Sequence, residues 1–257
     1  MTPILAFDIE TIPDCAGLRL LHNLPADLPD ADVAEIAFQK RRVQTGNDFL
    51  PTHLHKIVVI SCVLRNEEEV RVFSIGEPDA TEELAIQRFF EGINKYVPQI
   101  VSWNGRNFDL PVLVARGLIH GVAAACFWDT GNDNKDFRWS NYINRFHDRH
   151  VDLMDILSIY GGRGSPLDEI SRLSGFPGKL GVGGGAVWES YRKGAIASIR
   201  DYCEADCVNT YLLYLRFQLM RCALSREQYD AEAALLRALL ERQSAPHWRE
   251  FLSLWKI

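Results

Sequence analysis

The order of apolar and polar positions divides the chain into a small set of elements. Ile4 to Glu10 is apolar and β-branched apart from two acids, and predicts a strand closed off by Pro13. From 13 to 56 the pattern is mixed. Pro25, Pro29 and Pro51 punctuate one short helix, Ala31 to Arg42, and the stretch reads as an insertion over the core. Two apolar runs, Ile57 to Leu64 and Val70 to Ile75, flank the polar turn Arg65 to Glu69 and predict an antiparallel hairpin. Thr81 to Val97 has the period of an amphipathic helix, Ile100 to Trp103 that of a short buried strand, and a helix with Pro111 in its first turn is expected to start near Asp109. Phe127 to Arg149 shows no period. Val151 to Ile159 resumes an apolar pattern, Ser165-Pro166 starts a helix, and a glycine-rich loop runs from Gly175 to Gly185. Ala195 to Arg221 is the longest helical stretch. Ser225-x-x-Gln228 is a capping box opening a helix that ends near Gln243, and Pro246 to Trp255 closes the chain with another.

This order predicts an α/β fold with a mixed central β-sheet flanked by helices. No internal repeat or low-complexity linker interrupts it, so residues 1–257 are expected to form one domain, with the insertion at about 13–56 and a C-terminal helical extension at about 222–257. A hydrophobic content of 47% is ample for a core at this length. The net charge of -6 argues against gripping nucleic acid by overall positive charge, though not against local basic patches. Six cysteines lack zinc or disulfide spacing and read as reduced thiols of a cytoplasmic protein. No apolar run approaches the ~18 residues a membrane helix requires, so no membrane role is expected.

The chemistry lies in acids placed beside apolar sequence. Asp8 and Glu10, two apart on a strand, project from the same face and can share an ion. Asp109 stands where an apolar strand meets a helix, a place where a lone aspartate would serve as an N-cap. Tyr202 and Asp206 stack at i, i+4 inside the long helix. Buried carboxylates need partners, and oxygen donors without a His or Cys cluster select magnesium or manganese. Without metal, crowding is expected to raise one or more of their pKa values.

In that order FDIET, N-x-x-x-FD and Y-x-x-x-D resemble the three exonuclease motifs of the DEDD superfamily, and the tyrosine marks its DEDDy branch. The flanking HKIVVISCV, WNGRNFDLPVL and Leu167 to Ile170 are similar to stand-alone 3'-5' exonucleases related to the proofreading domain of family-B DNA polymerases. The resemblance spans about residues 3 to 217. It implies a ribonuclease H-like fold and two divalent cations, Mg or Mn, held by Asp8, Glu10, Asp109 and Asp206. It also implies that Asp8 bridges both ions, that Glu10 and Asp206 complete the water-activating site, and that Asp109 holds the second ion through water. By the same resemblance Tyr202 orients the attacking water with help from Glu10. Thr11, Asn104, Asn107 and Phe108 become the substrate-binding candidates. The implied substrate is nucleic acid with a free 3' end, single-stranded DNA above all, and replication or repair proteins are the implied partners. The apolar positions of the final helices leave their role, core cap or oligomer interface, open.

Other readings compete. An exoribonuclease of RNase D or oligoribonuclease type stays open, because the flanking text leans towards DNA but discrimination against a 2'-hydroxyl depends on pocket shape. A noncatalytic nucleic-acid-binding adaptor would keep the fold while losing an acid, yet all four are present. Gly181 to Ala186 matches G-x-G-x-x-A but follows no predicted strand, and Gly175-x-x-Gly-Lys179 lacks Walker spacing. His53, His55, His147 and His150 lack zinc spacing. Arg138, Arg145 and Arg149, interleaved with Phe137, Trp139, Tyr142 and Phe146, are either a single-strand groove or a loop that packs.

Overall fold

A computed structural model describes residues 2–161, 164–180 and 184–256, so part of the glycine-rich loop, 181–183, lies outside the described residues. Its sheet holds five strands in the order β3-β2-β1-β4-β5: β1 (Ile4–Pro13), β2 (His55–Arg65), β3 (Val70–Ser74), β4 (Gln99–Ser102) and β5 (His150–Asp152). β2 pairs antiparallel with both β1 and β3, while β4 runs parallel to β1 and β5 parallel to β4. This mixed arrangement, flanked by helices, meets the ribonuclease H-like expectation.

β1 is central and buried on both faces, which explains its nearly continuous apolar run. Leu5, Phe7 and Ile9 pack against helices α3 (Glu82–Tyr96) and α4 (Asp109–His120). Ala6 packs on the other face with Ala205 and Val208 of α9 (Ile196–Met220). By alternation Asp8 and Glu10 lie on the α9 side. β4 pairs with β1 only as far as Ala6, so the two acids extend past the carboxyl end of the parallel strands. Open α/β sheets bind ligands at that edge.

Two helices occupy the insertion. α1 (Cys15–His22), which the sequence pattern does not predict, and α2 (Asp30–Thr45) share a small core of Cys15, Leu18, Val33, Ala34, Ala37 and Leu50. Asp14 caps α1 and also joins Arg116 of α4, whose guanidinium is shared with Glu82 of α3. This buried network ties the insertion to the body.

After α4 the chain forms α5 (Ala125–Trp128), then β5 and α6 (Leu153–Leu157), so the apolar pattern of 151–159 splits into a three-residue strand and a helix. α7 (Leu167–Leu173) follows Pro166, and the unpredicted α8 (Val187–Arg192) precedes α9. α10 (Arg226–Arg242) has the expected capping box at Ser225. With α11 (Pro246–Leu254) it places Tyr229, Leu236, Trp248 and Phe251 in the core beside α9, so these final helices cover the sheet's helix layer. No helix among the described residues is long and apolar enough to cross a membrane.

Candidate active site

The three motifs converge at the carboxyl edge of β1. Donor atoms of Asp8, Glu10 and Cys203 lie within 4.8 Å of one another. Asp109 opens α4 as its first helical residue, with Phe108 as N-cap, so the N-cap role weighed for Asp109 is corrected. Its Oδ1 accepts instead from the Ile9 backbone N–H at 3.2 Å, which pulls the carboxylate onto β1 between the two strand acids. Asp206 and Tyr202 come from α9 with Cys203 between them.

Electrostatics reports the same convergence. Burial pushes the Asp8 carboxyl well above its ordinary value, and Cys203, Asp109, Glu10 and Asp206 push it further. Glu10 is raised by burial and then by Asp206, against a lowering pull from Lys179. Burial raises Asp109 to about 7 and Asp206 to about 6. The Tyr202 phenol is raised by burial and by Asp206, Glu10 and Asp8. Asp206 Oδ1 is buried with no hydrogen-bond partner among the described residues. An orphaned carboxylate oxygen amid like charges, in a set of oxygen donors, fits a hard divalent cation.

Lys179 is the neighbour the sequence pattern misses. Its Nζ donates to Tyr202 Oη at 2.6 Å and stands 3.6 Å from Asp206 Oδ2. The signal that could have found it is a lone lysine in a glycine-rich stretch of a chain whose clustered acids have no cation. Cys203 is missed too; its thiol lies 3.5 Å from Asp8 Oδ2. Asp152 is a third omission. It accepts from the backbone N–H groups of Asn104, Arg106 and Asp155, so it holds the turn that delivers Asp109. Asn104 in that turn has φ 66°, a left-handed conformation Asn tolerates.

The substrate-binding candidates divide into two pairs. Thr11 Oγ1 donates to His55 Nδ1 at 2.9 Å, because His55 Nε2–H is committed to the Leu50 carbonyl at 3.0 Å. Burial lowers the His55 pKa, and its ring lies 5.0 Å from that of Phe108. Asn107, which is exposed, donates its amide to Asn104 Oδ1 at 2.9 Å.

The segment from 137 to 149 packs. Phe137 and Tyr142 are buried, Arg145 pairs with Asp155, and Arg149 stacks over Phe137 while bonding the Ser140 and Val97 carbonyls. Trp139 and Phe146 stay exposed. His150 is buried between Ser102 and Arg106, its pKa pushed down to about 3 by burial. Neither it nor His55 belongs to a metal-ligating group among the described residues.

The raised acids make stability depend on pH. In the unfolded chain Asp ionises near about pH 4. In the metal-free folded protein Asp206 holds its proton to about 6 and Asp109 to about 7. Between these limits the folded state binds more protons, so stability is highest below the unfolded pKa and falls as pH rises through the folded ones. In EDTA the melting temperature is expected to drop by several degrees from pH 5 to pH 8, since ~1 kcal/mol moves a domain of this size by about 2–4 °C. Magnesium or manganese is expected to raise it more at pH 8 than at pH 5. Equal metal shifts at the two pH values would contradict this account.

Comparison with known proteins bears on the family. Residues 47–255 match a family described as "predicted 3'-5' exonuclease related to the exonuclease domain of PolB", a span that contains the second and third motifs and begins after FDIET. The catalytic subunit of DNA polymerase epsilon from Schizosaccharomyces pombe is 27% identical over 219 residues, 83% of this chain and 9% of that polymerase, so the chain spans only a small part of that relative's length. A family B DNA polymerase from the hyperthermophilic archaeon Pyrobaculum calidifontis aligns in structure over 85% of this chain and 25% of its own, at 17% identity and a TM-score of 0.49. With the family match extending over most of its length, the chain belongs to the family of 3'-5' exonucleases related to the PolB exonuclease domain.

Proposed function

We propose that this hydrolase removes nucleoside 5'-monophosphates from the 3' end of single-stranded DNA, using two divalent cations held by Asp8, Glu10, Asp109 and Asp206. The observation that carries the reading is the convergence of acids from β1, α4 and α9 around a buried oxygen with no partner among the described residues. Bound there, the cations would lower the pKa of a water and offset charge on the departing oxygen. Water adds to phosphorus, the 3' oxygen of the preceding nucleotide leaves with a proton, and no other reactant is needed.

The protein's own groups prepare this step. Tyr202 Oη accepts from Lys179 and its phenol sits beside the Asp206 carboxylate, where it would orient an attacking water. The Lys179 ammonium supplies positive charge beside Asp206 and Glu10. Thr11, fixed by His55, keeps lone pairs for a terminal hydroxyl. DNA as substrate is supported by the name of the polymerase relative, and replication or repair proteins are the partners that likeness suggests.

Purified protein incubated with magnesium or manganese and 5'-labelled single-stranded DNA, duplex DNA or RNA is expected to shorten the single-stranded DNA stepwise from its 3' end. Preference for RNA would turn the reading to an exoribonuclease, and no shortening of any substrate would sink it. Lys179→Gln is expected to lower kcat about ten- to a hundredfold, as the loss of one charge-assisted hydrogen bond implies. Unchanged kcat would remove Lys179 from the chemistry.

A further inference from the structure

Arg106 is the charged residue of the turn from Asn104 to Phe108, which delivers Asp109 to β1. It is half-buried and makes no ion pair among the described residues. Its Nη2 donates to His150 Nδ1 at 3.2 Å, and His150, with its pKa pushed down to about 3, is neutral and offers no counter-charge. Nε is buried without a hydrogen-bond partner among the described residues, and Nη1, which has none either, reaches solvent. The nearby acids are committed elsewhere. Asp152 accepts from the backbone N–H groups of Asn104, Arg106 and Asp155, while Asp155 holds Arg145 through both carboxylate oxygens, at 2.9 and 2.5 Å. Burial lowers the Arg106 pKa and Arg145 lowers it further, against a raising pull from Asp152 and Asp155. A guanidinium so placed is poorly compensated, and an anion would relieve that cost.

The position of Arg106 selects the anion. Gly105, its neighbour in the chain, lies against the acid cluster, since a Cβ there would come within 3.6 Å of Asp109 Oδ2. Asp152 acts on both sides, raising the pKa of Asp109 and of Arg106. The cation thus stands beside the carboxylates of a chain whose net charge of -6 repels a polyanion overall. We propose that Arg106 is a substrate-binding residue that holds a phosphodiester of the incoming strand, upstream of the bond that is cut. This rests on the exonuclease reading above. Nη1 presents its N–H donors to a non-bridging oxygen, and His150 holds the guanidinium in place, so little side-chain freedom is lost on binding. The contact draws the strand over the acids and takes no part in breaking the bond.

The test compares the wild type with Arg106→Gln and Arg106→Lys. Binding of single-stranded DNA is measured with calcium over a range of salt concentrations, and hydrolysis is followed with magnesium. Arg106→Gln is expected to raise Kd and KM about tenfold with kcat within about twofold, and to flatten the slope of log affinity against log salt by about 0.7, the share of one single-strand phosphate. Arg106→Lys keeps the charge and is expected to keep the slope. In EDTA the Gln variant is expected to melt at or above the wild-type temperature, because a poorly compensated cation has gone. Strands carrying a neutral methylphosphonate at one phosphodiester at a time are expected to reveal a position that costs the wild type about tenfold in Kd and Arg106→Gln nothing. Wild-type Kd and salt slope in Arg106→Gln, or methylphosphonate penalties that both proteins share at every position, would overturn the proposal while leaving the exonuclease standing. A wild type that binds with the Arg106-dependent slope yet shortens no strand would overturn the exonuclease reading alone, and one that neither binds nor shortens any strand would overturn both.

Discussion

Asp206→Asn is expected to lose about a thousandfold or more in magnesium-dependent hydrolysis, a barrier increase of ~4 kcal/mol, while becoming more stable than the wild type in EDTA at pH 8. The two effects have one cause. The carboxylate is buried, one oxygen has no partner among the described residues, and burial raises its pKa to about 6. At pH 8 without metal it carries a buried charge that Lys179, 3.6 Å away, offsets only in part against the neighbouring acids, and the amide removes that charge at nearly constant shape. In the proposed metal-bound state the same charge would hold the ion, for which the amide is a poorer ligand. Melting curves in EDTA and in manganese check both halves. A variant destabilised in EDTA, or one that keeps full activity, would show that Asp206 is structural.

Glu82→Ala is expected to cost ~3–5 kcal/mol and to lower the melting temperature by about 10 °C. Glu82 Oε1 accepts from the Ile57 N–H at 2.7 Å and from Arg116 Nε at 2.8 Å, and Oε2 faces Arg116 Nη2 at 2.5 Å and His120 at 2.9 Å. Both Glu82 and Arg116 side chains are almost wholly buried. Removing the carboxylate leaves Arg116 with Asp14 alone and orphans a β2 donor, and a buried partner stripped of its counter-charge costs far more than a surface pair. Asp14 caps α1, so the loosened network is expected to expose the insertion first, visible as faster hydrogen exchange in α1 and α2. Glu82→Gln keeps the acceptor for Ile57 and should fall between the two. A loss within about 2 °C for the Ala variant would mean the network contributes little.

Much of the site is legible in the sequence because it is written in two periods. Residues two apart on a strand and four apart on a helix share a face wherever the element goes, so Asp8 with Glu10 and Tyr202 with Asp206 are paired by geometry alone. The hairpin, the start of α4 and the Ser225 capping box follow from equally local rules. Where local signals conflict, they fail. The apolar pattern of 151–159 serves a buried strand or a helix equally well. It becomes β5 because His150 to Asp152 pair with β4, and it becomes α6 because Asp152 caps the next turn. α1 is lost among prolines, since its stability comes from packing on α2 rather than from its own pattern.

Sequence alone thus determined which acids stand beside apolar sequence and how they pair within each element, and their oxygen donors are what points to a hard cation. Tertiary structure alone decided that three segments meet and that Ile9 draws Asp109 onto β1. It also decided that Lys179 reaches Tyr202, and that Arg145 and Arg149 are taken up by packing. The reason is physical. Faces follow from bonded geometry within one element, whereas contacts between segments depend on how loops close and how the buried charges they bring together find partners.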